Sequence, residues 1–287
     1  MDNQYCDNSL KSRSVPIFSI FLVLGFVCIC GARIDSIVSL SPYLTEEVYL
    51  LGAGDRLVGV TIYCNRPPEA RKKEKIGTMI EPSIEKIIRL NPDLVLATKE
   101  GNKPGTVNRL RNLGIRVEVF DEKNDFEDIE KDFLWLGKLL DCYQKSKEIM
   151  GGLSFRMNQV KKKVRGLKKP RVFCELGSKP LVTAAKGTFI NQIIEISGGI
   201  NIASDAKLRY PRYTLEEVVR RDPEVILIVT MGEVTHLEVK KWKRFKDIQA
   251  VKNNRIYVID ADLICRPTPL SFVESIEQVA RRIHNLK

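Results

Sequence analysis

The sequence predicts an α/β fold made of two similar, doubly wound lobes joined by a single long helix. Three observations lead to this prediction. Apolar, strand-like runs alternate with amphipathic, helix-like segments along most of the chain, which is typical of parallel sheets covered by helices. The order of these elements repeats in the second half. Between the halves, apolar residues recur at helical spacing from about residue 126 to residue 166.

The first lobe is predicted to comprise residues 33–141. Each of its helices ends at a glycine or at an Asn-Pro pair, which are common stop signals. The predicted strands are Ile34–Leu40, Leu57–Ile62, Leu94–Thr98 and Ile115–Phe120, and the predicted helices are Thr45–Leu51, Ser83–Arg89 with Ser83 as the cap, and Val107–Leu113.

The connecting helix is predicted within residues 142–168, and the second lobe within residues 169–287. A helix of ~22 residues beginning near Tyr143 would span ~33 Å, which is enough to bridge two lobes. In the second lobe we expect strands at Arg171–Leu176, Val225–Thr230 and Arg255–Ile259, helices at Phe189–Ile196 and Thr214–Arg220, and the segment Trp242–Ala250 before the last strand.

One pair of segments forms an internal repeat. Residues 83–96 align with residues 214–227 without a gap, at a constant offset of 131. The two segments share the same features in the same order: a Ser or Thr cap, a Glu at the third position, an apolar pair, a proline and a strand. Caps and prolines are common to helix–strand units, but the matched acids Glu85 and Glu216 are not explained by that.

The N-terminus has the features of an export signal. Lys11 and Arg13 precede an almost wholly apolar run from Val15 to Cys30, and small residues follow up to Ala32. The run is short for a membrane span. We therefore expect residues 1–32 to be a signal peptide cleaved near Ala32, and the mature chain to be periplasmic or at the cell surface. An uncleaved anchor, or a lipid tether at Cys28 or Cys30, stays open.

The formal net charge of +11 raises the question of nucleic-acid binding. The cationic runs lie in amphipathic, helix-like stretches, and no nucleic-acid motif is present, so a solvated surface and no nucleic-acid partner are expected. The mature chain has four scattered cysteines and two histidines, which argues against a cysteine or zinc site. These residues are Cys64, Cys142, Cys174, Cys265, His236 and His284. Disulfide pairing stays open.

Six short motifs occur in order along the mature chain: Ser39–Pro42 with Thr45-Glu46, Gly77-Thr78 before Glu81–Glu85, Asn91–Val95, Lys186–Ile190, Ser197–Asn201 and Arg266–Pro269. As an ordered set they resemble the class III periplasmic binding proteins, which serve ABC importers of vitamin B12, ferric siderophores, haem and some metal ions. The resemblance covers nearly all of the chain after residue 33, and it is nearest to the cobalamin-binding branch. It implies the two-lobed fold, no catalysis and no resident cofactor, while the two histidines leave no metal site expected.

The resemblance also implies functional residues. A corrinoid such as cobalamin would bind between the lobes, against Pro42, Tyr43, Tyr63, Met79, Tyr210, Asp262 and Arg266. Met79 and Thr98 stand where the B12 proteins carry tryptophans. Glu85 and Glu216 would dock onto arginines of a permease dimer, which works with ATPase subunits.

Other ligands and functions stay open. A ferric siderophore is the main alternative, because Lys99, Arg266 and the tyrosines suit an anionic chelate. Haem is less favoured, because Thr78 replaces the tyrosine that haem binders of this family use. An exported α/β enzyme is a different class, but Gly52-Ala53-Gly54 lacks the third glycine of a dinucleotide loop. A sensor or adhesion domain without a transport role is the last alternative.

Overall fold

The computed structural model describes Met1 and residues 33–230 and 235–286. The predicted signal peptide therefore lies almost wholly outside the described residues. Residues from Arg33 onward form one compact unit. Within the described ranges, no helix combines the length and the apolar character needed to cross a membrane.

The first half forms a five-stranded parallel sheet in the order β3-β2-β1-β4-β5. The strand order reverses direction on either side of β1, which is the doubly wound arrangement. The strands are β1 (Ile37–Ser39), β2 (Leu57–Val60), β3 (Glu74–Lys75), β4 (Leu94–Thr98) and β5 (Val117–Phe120), and the helices are α1 (Pro42–Leu50), α2 (Ile84–Leu90), α3 (Pro104–Asn112) and α4 (Phe126–Leu139).

A single helix, α5, connects the halves. It spans Tyr143–Val164, 22 residues, as the sequence predicts. It packs on α4 and on the last helix of the chain, α11 (Pro269–His284). A bidentate ion pair joins Arg156 of α5 to Glu277 of α11, with both contacts at 2.9 Å. The helix continues unbroken through Gly151 and Gly152, and a Cβ at either position would have no neighbour within 4 Å.

The second half forms a four-stranded parallel sheet in the order β11-β10-β6-β9 and a small antiparallel hairpin, β7-β8. Its strands are β6 (Arg171–Glu175), β7 (Gly177–Ser178), β8 (Leu181–Val182), β9 (Ile200–Asn201), β10 (Val225–Thr230) and β11 (Ile256–Asp260). Its helices are α6 (Phe189–Ile196), α7 (Leu215–Arg221), α8 (Thr235–Trp242), α9 (Gln249–Lys252), α10 (Ala261–Ile264) and α11 (Pro269–His284). The predicted pair of α/β lobes on one spine helix is confirmed.

The internal repeat extends to the backbone. Ser83 and Thr214 each accept a hydrogen bond from the backbone N–H three residues on, and each helix ends in a left-handed residue before a proline. Ile87 and Val218, also 131 residues apart, are both fully buried. The aligned segments are therefore equivalent in structure as well as in sequence.

Several predicted boundaries differ from the structure. α1 begins at Pro42 and α3 at Pro104, each three residues before the predicted start, because proline suits the first turn of a helix. The segment predicted at 242–250 is not one element, since Trp242 ends α8 and α9 begins only at Gln249. The domain boundaries at 141 and 168 stay a prediction.

Candidate functional site

A cavity lies where loops from both sheets meet. Every loop that contributes a wall follows the carboxyl end of a strand: Pro42 comes after β1, Tyr63 after β2, Met79 after β3, and Asp262 and Arg266 after β11. Ligands of open parallel sheets bind at these ends, because the loops there converge. The cavity volume is about 450 Å³, within the range of small-molecule sites.

Six of the seven predicted ligand residues line this cavity: Pro42, Tyr43, Tyr63, Met79, Asp262 and Arg266. Thr98, the other position that departs from the B12 pattern, lines it too. Tyr210 is not part of the wall. It lies nearby, partly exposed and 5.7 Å from the Arg209 guanidinium. Burial raises the pKa of Tyr210 to about 12, and the charge of Glu100, a cavity residue, adds to that rise.

The two wall tyrosines offer different surfaces. Tyr43 is buried in the first turn of α1, and Lys123 Nζ lies 5.6 Å from its ring centroid. Burial and the nearby Glu47 carboxyl raise the pKa of Tyr43 well above its ordinary value, so its hydroxyl acts as a neutral group. Tyr63 is 51% exposed. It therefore presents a free aromatic face at the cavity mouth.

Two polar residues of the wall, Asp262 and Arg266, form a hydrogen-bonded ring with the side chain of Asn65. Arg266 Nη2 pairs with Asp262 Oδ1 at 2.8 Å, and Arg266 Nη1 donates to Asn65 Oδ1 at 2.6 Å. Asn65 Nδ2 closes the ring by donating to Asp262 Oδ2 at 3.2 Å. Asn65 belongs to the loop after β2, so the ring joins the two lobes. No sequence signal distinguished Asn65 from its neighbours.

Sequence reasoning also missed Ser41, Glu100 and Cys265, which line the cavity. Ser41 is fully buried, and its Oγ has no hydrogen-bond partner among the described residues. Burial raises the pKa of Glu100, although the backbone N–H of Lys123 donates to its carboxylate at 3.1 Å. Burial likewise raises the pKa of Cys265 to about 11. The cavity thus has hydroxyl, carboxyl and thiol groups beside its aromatic wall.

The metal-ligating residue types are dispersed. All four cysteines after residue 32 are free thiols. No group of three or more His, Cys, Asp or Glu side chains converges on one point in the part of the chain that the structure describes. His284 contacts the carbonyl of Ser197 at 3.0 Å and does not line the cavity, and the side chain of His236 lies outside the description.

A larger hollow, of about 680 Å³, lies on the outer side of the first lobe. It is lined by β5, α4 and the first residue of α5, with many acidic side chains and the exposed Trp135. Trp135 Nε1 already donates to Glu118 at 2.8 Å. We assign the functional site to the 450 Å³ cavity instead, because loops of both sheets converge on it. We call this cavity the cleft.

The two acids of the repeat are exposed and lie at the second position of their helices, α2 and α7. Neither Glu85 nor Glu216 forms an ion pair with a Lys or Arg of the described chain. Hydrogen bonds from the backbone N–H of Glu216 and from Thr214 lower the pKa of Glu216. By contrast, Glu217 is held by Arg220 and Arg221 at 2.7 and 2.6 Å.

The structure has two α/β lobes on a single spine helix and a cavity formed by the loops of both. This is the architecture of a two-lobed solute-binding protein. The family model described as "Periplasmic binding protein" matches residues 37–263. The chain belongs to this family, which is one of binding proteins rather than of enzymes.

Similar proteins agree with this assignment. A vitamin B12-binding protein of Vibrio cholerae serotype O1 is 30% identical over 249 residues, which cover 85% of this chain and 87% of that protein. An uncharacterized ABC transporter substrate-binding lipoprotein of Bacillus subtilis, YvrC, is 32% identical over 254 residues, covering 86% and 79%. The crystal structure of the periplasmic vitamin B12-binding protein BtuF of Vibrio cholerae aligns with a TM-score of 0.76 at 28% identity, covering 88% of this chain and 98% of that one.

Proposed function

We propose that this protein is the substrate-binding component of an ABC importer and that it captures a corrinoid, such as cobalamin, in the cleft between its lobes. The cleft carries the proposal, because six residues that the resemblance selects from distant parts of the chain line one cavity there. The vitamin B12-binding relatives support the choice of ligand.

The composition of the cleft suits a flat macrocycle with polar edges. Tyr63 and Met79 line both the cavity and an adjoining hollow of about 510 Å³. Aromatic rings and a methionine side chain can pack on the face of a macrocycle. Asp262 and Arg266 can hydrogen-bond its edge. In this proposal Met79 supplies the apolar surface where the B12 proteins carry a tryptophan.

Two positions weigh against the alternative chelates. Thr78, at the position where haem binders carry a tyrosine, accepts a hydrogen bond at 2.9 Å from the backbone N–H of Glu81 and so stabilises its own turn. Lys99, which would suit a ferric siderophore, is exposed, pairs with Asp121 and is not part of the cavity wall. Arg266 is thus the principal cation of the wall, and it is already paired with Asp262.

The same proposal gives the two repeated acids a role. Glu85 and Glu216 would each meet an arginine of one permease subunit, through charge-assisted hydrogen bonds. Their equivalence in the repeat fits a partner with two similar halves. The importer's ATPase subunits would then drive ligand release, while this protein performs no chemistry. Export by the predicted signal peptide would place it on the required side of the membrane.

Calorimetric titration of the purified protein tests the proposal. The ligands are cyanocobalamin, cobinamide, haemin and a panel of ferric siderophores. We expect one-to-one binding of both corrinoids and weaker or no binding of the others. Binding of a siderophore without corrinoid binding would keep the transport role and replace the ligand. If no chelate binds, the transport proposal loses its support.

A further inference from the structure

The second half of the chain has a dense run of positive charge where the connecting helix ends. Residues 161–171 contain seven Lys or Arg residues and no acid. The lysines in the last turn of α5 are exposed, and so is every residue from 165 to 169. Two of these cations pair with acids of the described chain, Glu224 at 2.6 Å and Asp222 at 3.6 Å. The other five form no ion pair with a described residue and are open to an external partner.

The last helix adds two arginines to the same surface. Arg281 is exposed in the last turn of α11, and it lines a hollow of about 460 Å³ together with Lys163 of α5. The acid that lines this hollow, Glu277, is already neutralised by its two hydrogen bonds from Arg156. Those bonds lower the pKa of Glu277, and the charges of Arg281 and Lys163 lower it further, so the two helices bring these cations close together. The basic face, as we define it, comprises residues 161–169, Arg281 and Arg282.

The helix dipole explains part of this charge. Cations are favourable in the last turn of a helix, which accounts for the lysines of α5 and the arginines of α11. Three further cations follow the end of α5, and among them Leu167 is 40% exposed. The N–H of Leu167 donates to the carbonyl of Val164 at 3.1 Å, and Gly166 supplies the φ of 82° that the turn requires. The dipole accounts neither for the cations beyond the helix nor for an exposed leucine held among them.

We propose that the basic face binds the surface of a membrane that contains anionic lipids, and that Leu167 enters the interface beneath the headgroups. Each Lys or Arg near such a surface strengthens binding by a factor of about five. The exposed leucine favours lipid over a nucleic acid, because a membrane offers an apolar layer beneath its charges. This inference goes beyond the proposed function and requires no particular ligand in the cleft.

The basic face lies on the opposite side of the second sheet from the cleft. The four strands of that sheet are parallel, and the basic face precedes β6, so it lies at their amino ends. The loops that line the cleft follow the carboxyl ends of strands. A protein held on a membrane by the basic face would therefore keep its cleft open to the solvent.

The proposed docking acids also lie away from the basic face. Glu85 and Glu216 are at the starts of α2 and α7, and the far ends of these helices lead into the amino ends of β4 and β10. The acids therefore lie on the side of the sheets that carries the cleft. Lipid binding and permease docking are then alternative orientations of one protein, and the lipid-bound protein must turn or leave the surface before it docks.

Vesicle co-sedimentation of the chain from Arg33 onward, which forms one compact unit, tests the lipid contact. The vesicles are made of phosphatidylcholine alone or of phosphatidylcholine with about one third phosphatidylglycerol, which is anionic. We expect at least roughly tenfold stronger binding to the anionic vesicles. The difference should disappear at ~1 M salt, where the Debye length is about 3 Å. Equal binding to the two kinds of vesicle, or a difference that resists salt, would overturn the proposal.

Variants of equal charge locate the contact. The basic-face variant changes three exposed lysines without an ion pair to Gln: Lys161→Gln, Lys162→Gln and Lys169→Gln. The control changes three exposed cations of the first lobe: Lys72→Gln, Arg109→Gln and Lys131→Gln. The basic-face variant should bind anionic vesicles at least about tenfold more weakly than wild type, and the control should stay within about twofold. Equal losses would show that net charge, rather than this face, causes the binding.

A third variant separates a lipid surface from other anionic partners. Leu167→Ala should weaken binding to anionic vesicles roughly threefold, because it removes apolar area from the interface. Binding of this variant to duplex DNA should equal that of wild type. An unchanged vesicle affinity would remove Leu167 from the contact, and binding to DNA as tight as binding to vesicles would assign the basic face to a nucleic acid instead. None of these measurements involves a corrinoid, so their failure is distinct from the failure of the proposed function.

Discussion

Asn91 and Asp222 have the same left-handed backbone conformation, with φ of 43° and 42°, although 131 residues separate them. Each ends a seven-residue helix, and each precedes a proline and a strand. Asn and Asp enter this region at a lower cost than most residues. Both copies of the repeat therefore need a left-handed residue at the end of the helix, and the sequence supplies Asn in one copy and Asp in the other.

The two positions should respond differently to glycine. The Asp222 carboxylate accepts hydrogen bonds from the backbone N–H and the Nε2 of Gln249, both at 2.8 Å, whereas Asn91 is exposed. We expect Asn91→Gly to change the free energy of unfolding by less than about 0.5 kcal/mol. Asp222→Gly should lower it by about 2 kcal/mol, because it removes charged hydrogen bonds. Urea unfolding measures both, and equal effects would contradict this account.

The elements that the sequence predicted best are those with strong local signals. β4, α6 and β10 have the predicted bounds, since caps and prolines enclose short apolar runs. The starts of α1 and α3 were placed too late, because each helix begins with a proline, a residue that suits the first turn of a helix but is also common in loops.

The site was predicted only where a motif marks it. Pro42 and Arg266 belong to motifs that resemble those of known binding proteins, and Tyr63 was placed from its position between such motifs. Asn65 and Glu100 lie outside every motif, and their places at the site come from contacts and burial in the fold. Tyr210 was expected on the wall, and its position beside the cavity depends on how the loop between β9 and α7 folds.

If Glu85 and Glu216 dock the protein onto the permease, changing them should affect ligand uptake but not ligand binding. Changing Glu85 and Glu216 together to Gln should leave ligand affinity at the wild-type value, because neither residue lines the cavity. It should abolish ligand uptake in cells, because it removes both charges proposed to meet the permease. The matched control is the double change of Glu69 and Glu195 to Gln, which alters one exposed acid in each half. Reduced ligand affinity, or uptake equal to that of the control, would refute the docking role.

The buried carboxyl of Glu175 should make the stability of the folded protein depend on pH. Its carboxyl is buried, accepts a hydrogen bond from Trp242 Nε1 and lies 3.5 Å from Lys241 Nζ. Burial raises the pKa of Glu175 from its ordinary 4.5 to about 7, with a further rise from Glu238. The folded state therefore holds this proton more tightly than the unfolded state. The resulting stability is present below pH 4.5 and is lost as the pH rises towards 7.

The test compares wild type with Glu175→Gln across that pH range. Wild type should lose on the order of 3 kcal/mol of unfolding free energy relative to the variant between pH 4.5 and pH 7.5. Glu195→Gln, at an exposed position of α6, should follow wild type. Urea unfolding at several pH values gives the free energy of unfolding as a function of pH. Parallel curves for wild type and Glu175→Gln would show that folding does not shift the pKa of Glu175.

Cys265 provides a chemical probe of the cleft. It is the one exposed cysteine of the four in the described chain, and it lines the cavity. Although the residue is exposed, its thiol lies among enough neighbours for burial to raise its pKa to about 11. Alkylation by iodoacetamide requires the thiolate. We therefore expect the labelling rate of Cys265 to keep rising beyond pH 9, where an ordinary thiol begins to level off.

Bound cobinamide should protect Cys265 from this labelling, because the ligand would cover the cavity wall. Cys142, which lies partly buried before α5, is the internal control and should react at the same rate with and without ligand. Mass spectrometry of the digested protein distinguishes the two sites in a single sample. If cobinamide is bound and Cys265 still reacts at its original rate, the ligand occupies a different surface, and the assignment of Asp262 and Arg266 to its recognition falls with it.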